Sequence, residues 1–451
     1  MLDSLYQADC LRHVWSQSKR FRRILVVVLV FVVLRLGVQA TLVAETISEG
    51  EIGGSFAADL QTYLDGAKHF QNREHLYLQG SLEEIEKYFS YAPIYAVIIV
   101  PLTWISPGWV PLVAVILHIL AYILTYLWWD RIFRRLKLDR AREMLAWTLP
   151  VWLVCSAFWG DLNYLNIYVI MGLLGTLLIG AVLEERLGWA VLWLTLILIT
   201  KPHWAFALGV PLLLGRYRFF IKLVAASTMA YLAVFVATLL IFGPEYGLQE
   251  YREYLHFLGR LSRDFPWRDT GDGFIGYNHS VAQIVVYILG VSRDSLRAAT
   301  VIKLLLLLPL ALVAVRYMRR PDGRPGYEVP HLGLDWAFAL YLGAFIWLDM
   351  VWELSLGVAL FTYLLATLED RREKLWVWIV FLPYALVDVW QIISYLAFGD
   401  AVLKDDAYVL TDPSIYLPLI MIIILLFYVL LLKRLWAIAP SLKEAAARQQ
   451  V

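Results

Sequence analysis

The sequence predicts an all-α polytopic membrane protein, and two features of its composition point to that class. Of the 451 residues, 61% are hydrophobic and only 17% are charged, whereas about a quarter of a soluble globular domain is charged. Apolar runs of about 20 residues, the length that a helix needs to cross a bilayer, recur along the chain. These features exclude a large soluble domain, and the net charge of +1 indicates no particular partner.

Hydropathy and the placement of lysine and arginine together predict about twelve membrane-spanning helices, with both termini in the cytoplasm. The first apolar run, 24–43, is long for a signal peptide and lacks a small-x-small cleavage site, so we expect a retained anchor. Cys10 precedes this run and Cys155 lies in a later one, so no disulfide is expected between them. The predicted spans are 21–43, 108–129, 143–159, 163–183, 188–200, 202–215, 219–242, 296–317, 333–348, 352–367, 375–397 and 414–433.

The charges between the spans set the predicted orientation. Short basic segments are expected on the cytoplasmic side, and the acidic segment 44–90 is expected outside. We therefore predict a multi-pass protein of the plasma membrane. The basic residues assigned to the cytoplasmic side are Arg12, Lys19, Arg20, Arg22, Arg23, Arg131, Arg134, Arg135, Lys137, Arg140, Arg142, Arg216, Arg218, Lys222, Arg316, Arg319, Arg320, Arg324, Arg371, Arg372 and Lys374.

Three segments depart from plain spans. Residues 91–105 are short and bounded by prolines, so we expect an interfacial or re-entrant helix on the outer face. The spans 188–200 and 202–215 are separated at Lys201-Pro202, and a broken helix at membrane depth requires surrounding protein or a water-filled cavity. Residues 243–295 form a second long outer segment after the first, 44–107. Because no internal repeat is found, the chain 1–451 is predicted to be one membrane domain.

Asp59 lies in SFAADLQTYLDGAKHF, which follows the first span and reads as an amphipathic helix. Asp59, Tyr63, Gly66 and Phe70 fall on one face of it, so a carboxylate shares an aromatic face beside the bilayer. One interpretation makes Asp59 a general base on the outer face. The other makes it a first-turn or capping acid that the helix dipole favours. Asp65 falls on the more polar face and is expected to be solvated.

Lys201 and His203 interrupt an apolar stretch at its outer end, in TKPHW. A lysine in this position commonly extends to the interface. It can also face a cavity and bind a phosphate, because ionisable residues within spans often mark functional sites. We favour the second interpretation, since the break places the lysine beside freed backbone groups.

The segment 250–268 carries basic residues at helical spacing. Such a stripe suits anionic lipid headgroups, and it equally suits a cationic wall for a lipid-linked phosphate. The triplet Asn278-His279-Ser280 follows, and it is interpreted as a helix cap, a part of the site or a glycosylation sequon. The basic stripe consists of Arg252, His256, Arg260 and Arg263, and an apolar stripe consists of Tyr251, Tyr254, Leu255 and Leu258.

Two predicted outer turns carry further candidates. In FWGDLNYLN, 158–166, Asp161 and Asn163 either bind sugar hydroxyls or cap the next helix. In WLDMVWEL, 347–354, Trp352 stands beside Glu353, and the ring suits the C–H face of a sugar while the carboxylate takes its hydroxyls. The alternative for this turn is an interfacial aromatic belt, because the chain has 19 tryptophans.

Several chemistries have no motif in the sequence. There is no P-loop, no GxGxxG, no HExxH and no Cys/His cluster with the spacing of a metal site. We therefore expect no cofactor, no metal, no nucleotide on the cytoplasmic side and no nucleic-acid partner.

The order and sidedness of short motifs add a resemblance that covers nearly the whole chain. The motifs in order are Asp59-x-x-x-Tyr63 with Gly66, Leu76-Tyr77, Tyr91-x-Pro93, Pro101-Leu102, Gly160-x-x-Asn163, Lys201-Pro202, Asn278-x-Ser280 and a Trp-containing turn at 347–353. This order resembles the polyprenyl-phosphate-mannose-dependent mannosyltransferases of the GT-C superfamily. The chain looks most like the α-1,2-mannosyltransferases that extend phosphatidylinositol mannosides in mycobacteria.

The resemblance implies a GT-C fold with its active site on the extracytoplasmic face and interfacial helices around it. It implies a polyprenyl-phosphate-linked sugar as donor, a lipid or glycan hydroxyl as acceptor, and inversion at the anomeric carbon. Asp59 takes the position of the family's base. Cations for the departing phosphate are expected from Lys201, His279, Arg260 and Arg263. Substrate contacts are expected from Tyr63, Tyr91, Asp161, Asn163, His203, Asn278, Trp352 and Glu353.

The chain departs from the family pattern at two positions. Gly160 is followed by Asp161, where the family often has glutamine, and Trp352 is followed by Glu353, where the family often has histidine. These departures concern the sugar and the acceptor, and they leave the reaction class unchanged. Alternatives that the sequence leaves open are an enzyme using polyprenyl-linked arabinofuranose or glucose, a secondary transporter and a non-catalytic lipid-handling subunit.

Overall fold

The computed structural model describes residues 5–52, 56–77, 89–261, 265–318, 331–398 and 413–438. All the regular secondary structure of these residues is helical, and turns and loops connect the helices. Arg263 and the basic residues 319, 320 and 324, all named above, lie outside the described residues. The first helices are α1 (Leu5–Gln17), α2 (Lys19–Glu49), α3 (Ala58–Asn72) and α4 (Pro93–Ile99).

The first long helix, α2, brings the chain to the candidate site. Ser18 caps its start by accepting a hydrogen bond from the Phe21 N–H at 3.1 Å, and Gly50 ends it in the left-handed conformation at φ 74°. With 31 residues, α2 is about 46 Å long, which exceeds the roughly 30 Å hydrocarbon core of a bilayer. The helix is therefore longer than a bilayer core is thick, and α3 follows its C-terminal end.

Helix α3 confirms the amphipathic helix predicted from Asp59 onward. Tyr63 and Gly66 are buried on one face, and Asp59 and Phe70 are half-buried beside them. A Cβ atom on Gly66 would lie only 2.4 Å from the Phe89 ring, so this position accepts no side chain without a shift of that ring. The following helix, α4, is short and begins at Pro93, as predicted for the segment 91–105.

The middle of the chain contains the predicted break. Helix α10 ends at Thr200, and a 3-10 helix from Pro202 to Gly209 follows it, because proline lacks the N–H that would continue the ladder. The helices of this region are α5 (Val110–Arg135), α6 (Asp139–Trp147), α7 (Leu149–Val154), α8 (Ser156–Tyr164), α9 (Tyr168–Leu183), α10 (Leu187–Thr200), α11 (Val210–Leu213), α12 (Tyr217–Phe242) and α13 (Pro244–Leu261).

The C-terminal part surrounds a buried pair of helices. The helices here are α14 (Val281–Leu289), α15 (Arg293–Met318), α16 (Leu332–Trp347), α17 (Gly357–Thr367), α18 (Arg371–Ala385), α19 (Val387–Phe398) and α20 (Leu419–Ile438). Apolar side chains surround α16 and α17 on all faces, and nearly all of them are buried. Helix α16 packs against α20 and against the 3-10 helix, so the break at Lys201 lies on the central core.

Among the described residues, five helices are long and apolar enough to cross a membrane, and seven if two bent pairs each count as one. The prediction of about twelve spans stays a prediction, because the remaining apolar helices are shorter. Residues 158–166 differ from the predicted turn. Most of this segment belongs to α8, which continues the broken helix after Leu149–Val154.

Helix α13 also differs from the predicted apolar stripe. Tyr254 and Phe257 are buried, whereas Leu255 is 68% exposed and Leu258 is 39% exposed. The buried face is therefore rotated toward Tyr254, because α13 packs there against the first outer segment rather than lying free on the lipid.

Candidate functional site

The structure brings Asp59 together with three polar side chains from other parts of the chain. Asp59 lies in the first turn of α3, and its Oδ2 accepts a hydrogen bond from Asn166 Nδ2 at 2.9 Å. The Tyr63 hydroxyl donates to Asn166 Oδ1 at 3.2 Å and lies 2.9 Å from the Tyr91 hydroxyl. We call Asp59, Tyr63, Tyr91, Asn166 and Lys201 the Asp59 cluster.

Asn166 is held in one orientation by its neighbours. Its Oδ1 accepts from Tyr63 and from the Ile167 N–H, at 3.2 and 2.7 Å. Because the Ile167 N–H can only donate, its partner must be the amide oxygen, and the amide nitrogen therefore faces Asp59. The Asp59 carboxylate is thereby held in place by an amide group that cannot itself act as a base.

The two tyrosines of the cluster are neutral donors. Burial raises the pKa of both hydroxyls well above their ordinary value, so they stay protonated at physiological pH. Their rings meet edge to face with centroids 5.1 Å apart, and Tyr91 stacks on Tyr95 at 4.4 Å. These contacts make the aromatic wall of the site rigid.

Lys201 supplies the positive charge of the cluster. Its Nζ lies 3.7 Å from the centre of the Tyr168 ring and 5.5 Å from that of Tyr91. Burial lowers the pKa of Lys201 to about 8, and the nearby carboxylates of Asp59 and Asp161 oppose that fall. The side chain is therefore mainly an ammonium at neutral pH, adjacent to the carboxylate on α3.

Asp161 is buried on α8 and caps the next helix. Its two carboxylate oxygens accept from the N–H groups of Tyr168 and Val169, at 3.2 and 2.8 Å, at the start of α9. This geometry supports the capping interpretation of the sequence. The Asn163 carbonyl accepts from the Ala57 N–H at 3.0 Å, so the end of α8 also fixes the start of α3.

A cavity of about 140 Å³ is lined in part by α8. Trp352 is 39% exposed at its wall, and Glu353 Oε2 accepts from the Tyr384 hydroxyl at 3.0 Å. We call this space the Trp352 cavity. Its walls include Arg35, Ser156, Gly160, Asn163, Tyr164, Tyr277, His279, Trp352, Glu353, Tyr384, Asp388 and Gln391. Of the predicted residues, Asp59, Tyr63, Tyr91 and Lys201 thus fall in the Asp59 cluster, and Asn163, His279, Trp352 and Glu353 line the Trp352 cavity.

Gly160 has a steric role in this cavity. A Cβ atom there would lie 2.9 Å from Glu353 Oε1, closer than a carbon and an oxygen in contact. The close approach keeps the Glu353 carboxylate at the cavity wall, where Tyr384 orients it.

Arg35, which the sequence reasoning missed, places a positive charge in the cavity wall. It lies within the first predicted span, and its Nε is 3.0 Å from Asp388 Oδ2. Its Nη1 also donates to Gln39 Oε1 at 3.3 Å. A charged residue inside an apolar run is itself a signal of function, so the sequence held the information.

Asn278 and His279 connect two outer turns. Asn278 Nδ2 donates to the Asp349 carbonyl at 2.9 Å, and its Oδ1 accepts from the N–H groups of Ser280 and Val351, both at 3.1 Å. Ser280 caps α14 by accepting from the Gln283 N–H, as the capping interpretation predicted. Asn278 therefore fixes the backbone of the 347–354 turn.

His279 does not fit the expected role of a cation. It is buried, and its Nδ1 accepts from the Ile420 N–H at 3.1 Å. Burial lowers the pKa of His279 to about 4, so the ring is uncharged at neutral pH. Arg260 is half-buried on α13, and His203 lies in the 3-10 helix with its ring 6.3 Å from that of Phe345.

Asn166, Tyr168 and Tyr384 were also missed by the sequence reasoning. Asn166 directly precedes the apolar run of α9, where a polar residue reads as a cap. Its partner Asp59 is 107 residues away, so the sequence alone carries no signal for that contact.

Comparison with known proteins gives one match. Residues 89–334, more than half of the chain, match Glycosyltransferase family 87. No curated protein and no solved structure matches the chain. The matched range contains Asn166 and Lys201, while Asp59 and Trp352 lie on either side of it. Together with its membrane-length apolar helices, this match shows that the chain is a membrane glycosyltransferase and belongs to glycosyltransferase family 87.

Proposed function

We propose that the protein transfers a sugar, with mannose as the first candidate, from a polyprenyl phosphate to a hydroxyl of a lipid or glycan. Transfer takes place on the outer face of the membrane and inverts the anomeric carbon. The observation that carries the proposal is the Asp59 cluster, in which a fixed carboxylate and a half-buried ammonium lie close together. Sugar transfer requires both charges, one at each end of the reacting centre.

The step is a single displacement. Asp59 takes the proton of the acceptor hydroxyl, and the acceptor oxygen forms a bond to the anomeric carbon. The bond from that carbon to the phosphate oxygen breaks, and its electron pair leaves with the polyprenyl phosphate. Asn166 donates to Oδ2 of Asp59 and thereby fixes the orientation of the carboxylate that is proposed to act as the base.

Lys201 is the proposed partner of the leaving phosphate. Its ammonium lies 3.7 Å from the centre of the Tyr168 ring and is proposed to approach a phosphate oxygen from there. A polyprenyl phosphate leaves as a monoester, and a single lysine can neutralise the charge that develops on it. The transfer step is therefore proposed to need no metal ion.

The Trp352 cavity is the proposed sugar-contacting surface. The half-exposed indole suits the C–H face of a pyranose, and the Glu353 carboxylate can accept bonds from ring hydroxyls. Arg35 and Asn163 line the same space and add further hydrogen-bonding groups to it. Arg260, in the second predicted outer segment, is proposed to bind the donor phosphate or anionic lipid headgroups.

The test is a transfer assay with the purified protein in nanodiscs, radiolabelled polyprenyl-phosphate mannose and a membrane-lipid extract. Wild type is compared with Asp59→Asn and with the matched control Asp65→Asn on the same helix. Asp65 accepts from Gln61 at 2.7 Å and belongs to neither group of site residues. We expect labelled product from wild type and the control, and a loss of about 100- to 10,000-fold for Asp59→Asn.

Each other outcome has a defined meaning. Equal transfer by Asp59→Asn would remove the residue from the role of base. No transfer by any protein would reject mannose, and the same assay would then be run with polyprenyl-linked arabinofuranose and glucose. Family membership favours transfer over transport. Solute counterflow in proteoliposomes without any glycosyl transfer would nevertheless overturn the proposal.

A further inference from the structure

Three metal-binding side chains converge outside both groups of site residues. His75 follows α3 in the first outer segment, and Glu250 and Glu253 lie one turn apart on α13. One ligand atom from each of the three lies within 4.8 Å of the other two. The set joins the outer segment that begins with Asp59 to the helix at the start of the second outer segment.

Glu250 is a buried carboxylate, so each of its two oxygens needs a hydrogen-bond donor or a cation. Its side chain has no exposed surface, and its Oε2 accepts from the Leu76 N–H at 3.0 Å. Among the described residues, Oε1 accepts no hydrogen bond, although His75 Nδ1 lies 3.4 Å away. Because a buried carboxylate oxygen without a donor or a cation is costly, this atom indicates an additional positive ligand.

The two distances from His75 agree with a small tetrahedral ion. His75 Nδ1 lies 3.4 Å from Glu250 Oε1 and 3.2 Å from Glu253 Oε2. Zinc bonds of about 2.0–2.1 Å at tetrahedral angles place neighbouring ligand atoms about 3.3 Å apart. One imidazole nitrogen and two carboxylates suit zinc, whereas calcium and magnesium prefer oxygen ligands alone.

The charges lead to the same conclusion. The carboxylates of Glu250 and Glu253 lie one turn apart on α13, and both approach His75 Nδ1. Two carboxylates close together in a partly desolvated place repel each other unless a cation lies between them. The His75 ring is half exposed, so a cation can enter the group from solvent.

We propose that His75, Glu250 and Glu253 bind a structural zinc ion, with water in the fourth position. This inference goes beyond the proposed function, because no step of sugar transfer passes through the ion. The ion would hold the residues after His75 against α13. Tyr77 is one of them, and its hydroxyl donates to the Tyr91 carbonyl at 2.7 Å. The zinc site would thereby stabilise the wall of the Asp59 cluster from outside.

The test measures bound metal and thermal stability rather than activity. The full chain is purified in detergent with an affinity tag that contains no histidine, stripped with a chelator, and titrated with zinc chloride. Wild type is expected to bind about one zinc per chain and to unfold at a higher temperature when zinc is present. His75→Gln and Glu253→Gln are expected to weaken zinc binding about 10- to 100-fold.

His69→Gln is the matched control. His69 is exposed on α3 and lies 3.8 Å from Glu74, so it is a histidine–carboxylate pair without a buried oxygen. The control is expected to bind zinc as wild type does. Absence of zinc binding by the wild type would overturn the proposal and leave a plain histidine–glutamate ion pair. Equal binding by His75→Gln and wild type would also overturn it, since the metal would then lie elsewhere.

Discussion

The Asp59 cluster and the Trp352 cavity are built in different ways. In the cluster, Asn166 and the tyrosines fix Asp59, and the Tyr168 ring holds Lys201. In the cavity, Trp352 keeps 39% of its surface exposed around a space of about 140 Å³. The Asp59 cluster is a closed network of polar contacts, whereas the Trp352 cavity has a partly exposed aromatic wall.

This difference suggests that the two regions have different roles in the proposed function. A preorganised charge pair acts on the reacting bonds, because its geometry costs nothing to assemble at the moment of reaction. An open wall with an indole and a carboxylate contributes binding that is similar in the ground state and the transition state. Substitutions in the cluster should therefore lower kcat, and substitutions in the cavity should raise KM.

After Asp59→Asn, the largest expected effect comes from Lys201→Ala. Removing the ammonium leaves the leaving phosphate without its proposed counter-charge, so we expect kcat to fall about 100- to 1,000-fold. The measurement is the rate of label transfer at saturating donor. A change in donor KM with unchanged kcat would assign Lys201 to binding and would break the distinction between the two regions.

The next effect is a dependence on pH. The pKa of Lys201 is lowered to about 8, so the ammonium is present below that pH and is lost above it. We expect kcat to fall roughly fivefold between pH 8 and pH 9. Lys201→Arg should abolish this alkaline fall, because arginine keeps its charge in this range. The profile of kcat against pH for both proteins checks the prediction, and an unchanged fall in the variant would contradict it.

Trp352→Ala tests the cavity. Loss of the indole should raise KM for the sugar-carrying substrate about fivefold and leave kcat within about twofold, because one aromatic contact is worth about 1 kcal/mol. Trp352→Phe serves as the matched control and should recover most of the affinity. A large loss of kcat in Trp352→Ala would instead place the reacting centre in the cavity.

The smallest effect is expected for His279→Gln. The ring is uncharged at neutral pH and accepts a hydrogen bond from the Ile420 N–H, and a glutamine oxygen can replace that acceptor. We expect kcat/KM to change by less than about threefold. A loss of 100-fold or more would restore His279 as a phosphate-binding cation and would extend the charged region into the cavity.

Several of these residues could be found from the sequence because their signals are local. Asp59 lies on a face with Tyr63 and Gly66, and periodicity alone places them together. Lys201 marks a broken helix through the proline that follows it. Ser280 reads as a cap from its position before an apolar run, and the structure confirms it. Each signal involves residues no more than one or two helical turns apart.

Other residues carried no local signal or a misleading one. His279 reads as a cation in the sequence, but burial beside α20 makes it neutral. Asp161 reads as a sugar ligand or a cap, and only the position of the α9 N-terminus favours the cap. Glu250 reads as one acid on an amphipathic helix, and its burial depends on the docking of the segment around Leu76.

The sequence by itself determined the membrane class, the amphipathic helix of Asp59, the break at Lys201 and the order of the motifs. These depend on composition and on the period of a helix, which are properties of neighbouring residues. The tertiary structure decided that Asn166 orients Asp59, that Lys201 faces Tyr168, and that Trp352 and Glu353 line a separate cavity. The physical reason is that contacts between residues far apart in the chain, and the charge states that depend on burial, arise only when the helices pack.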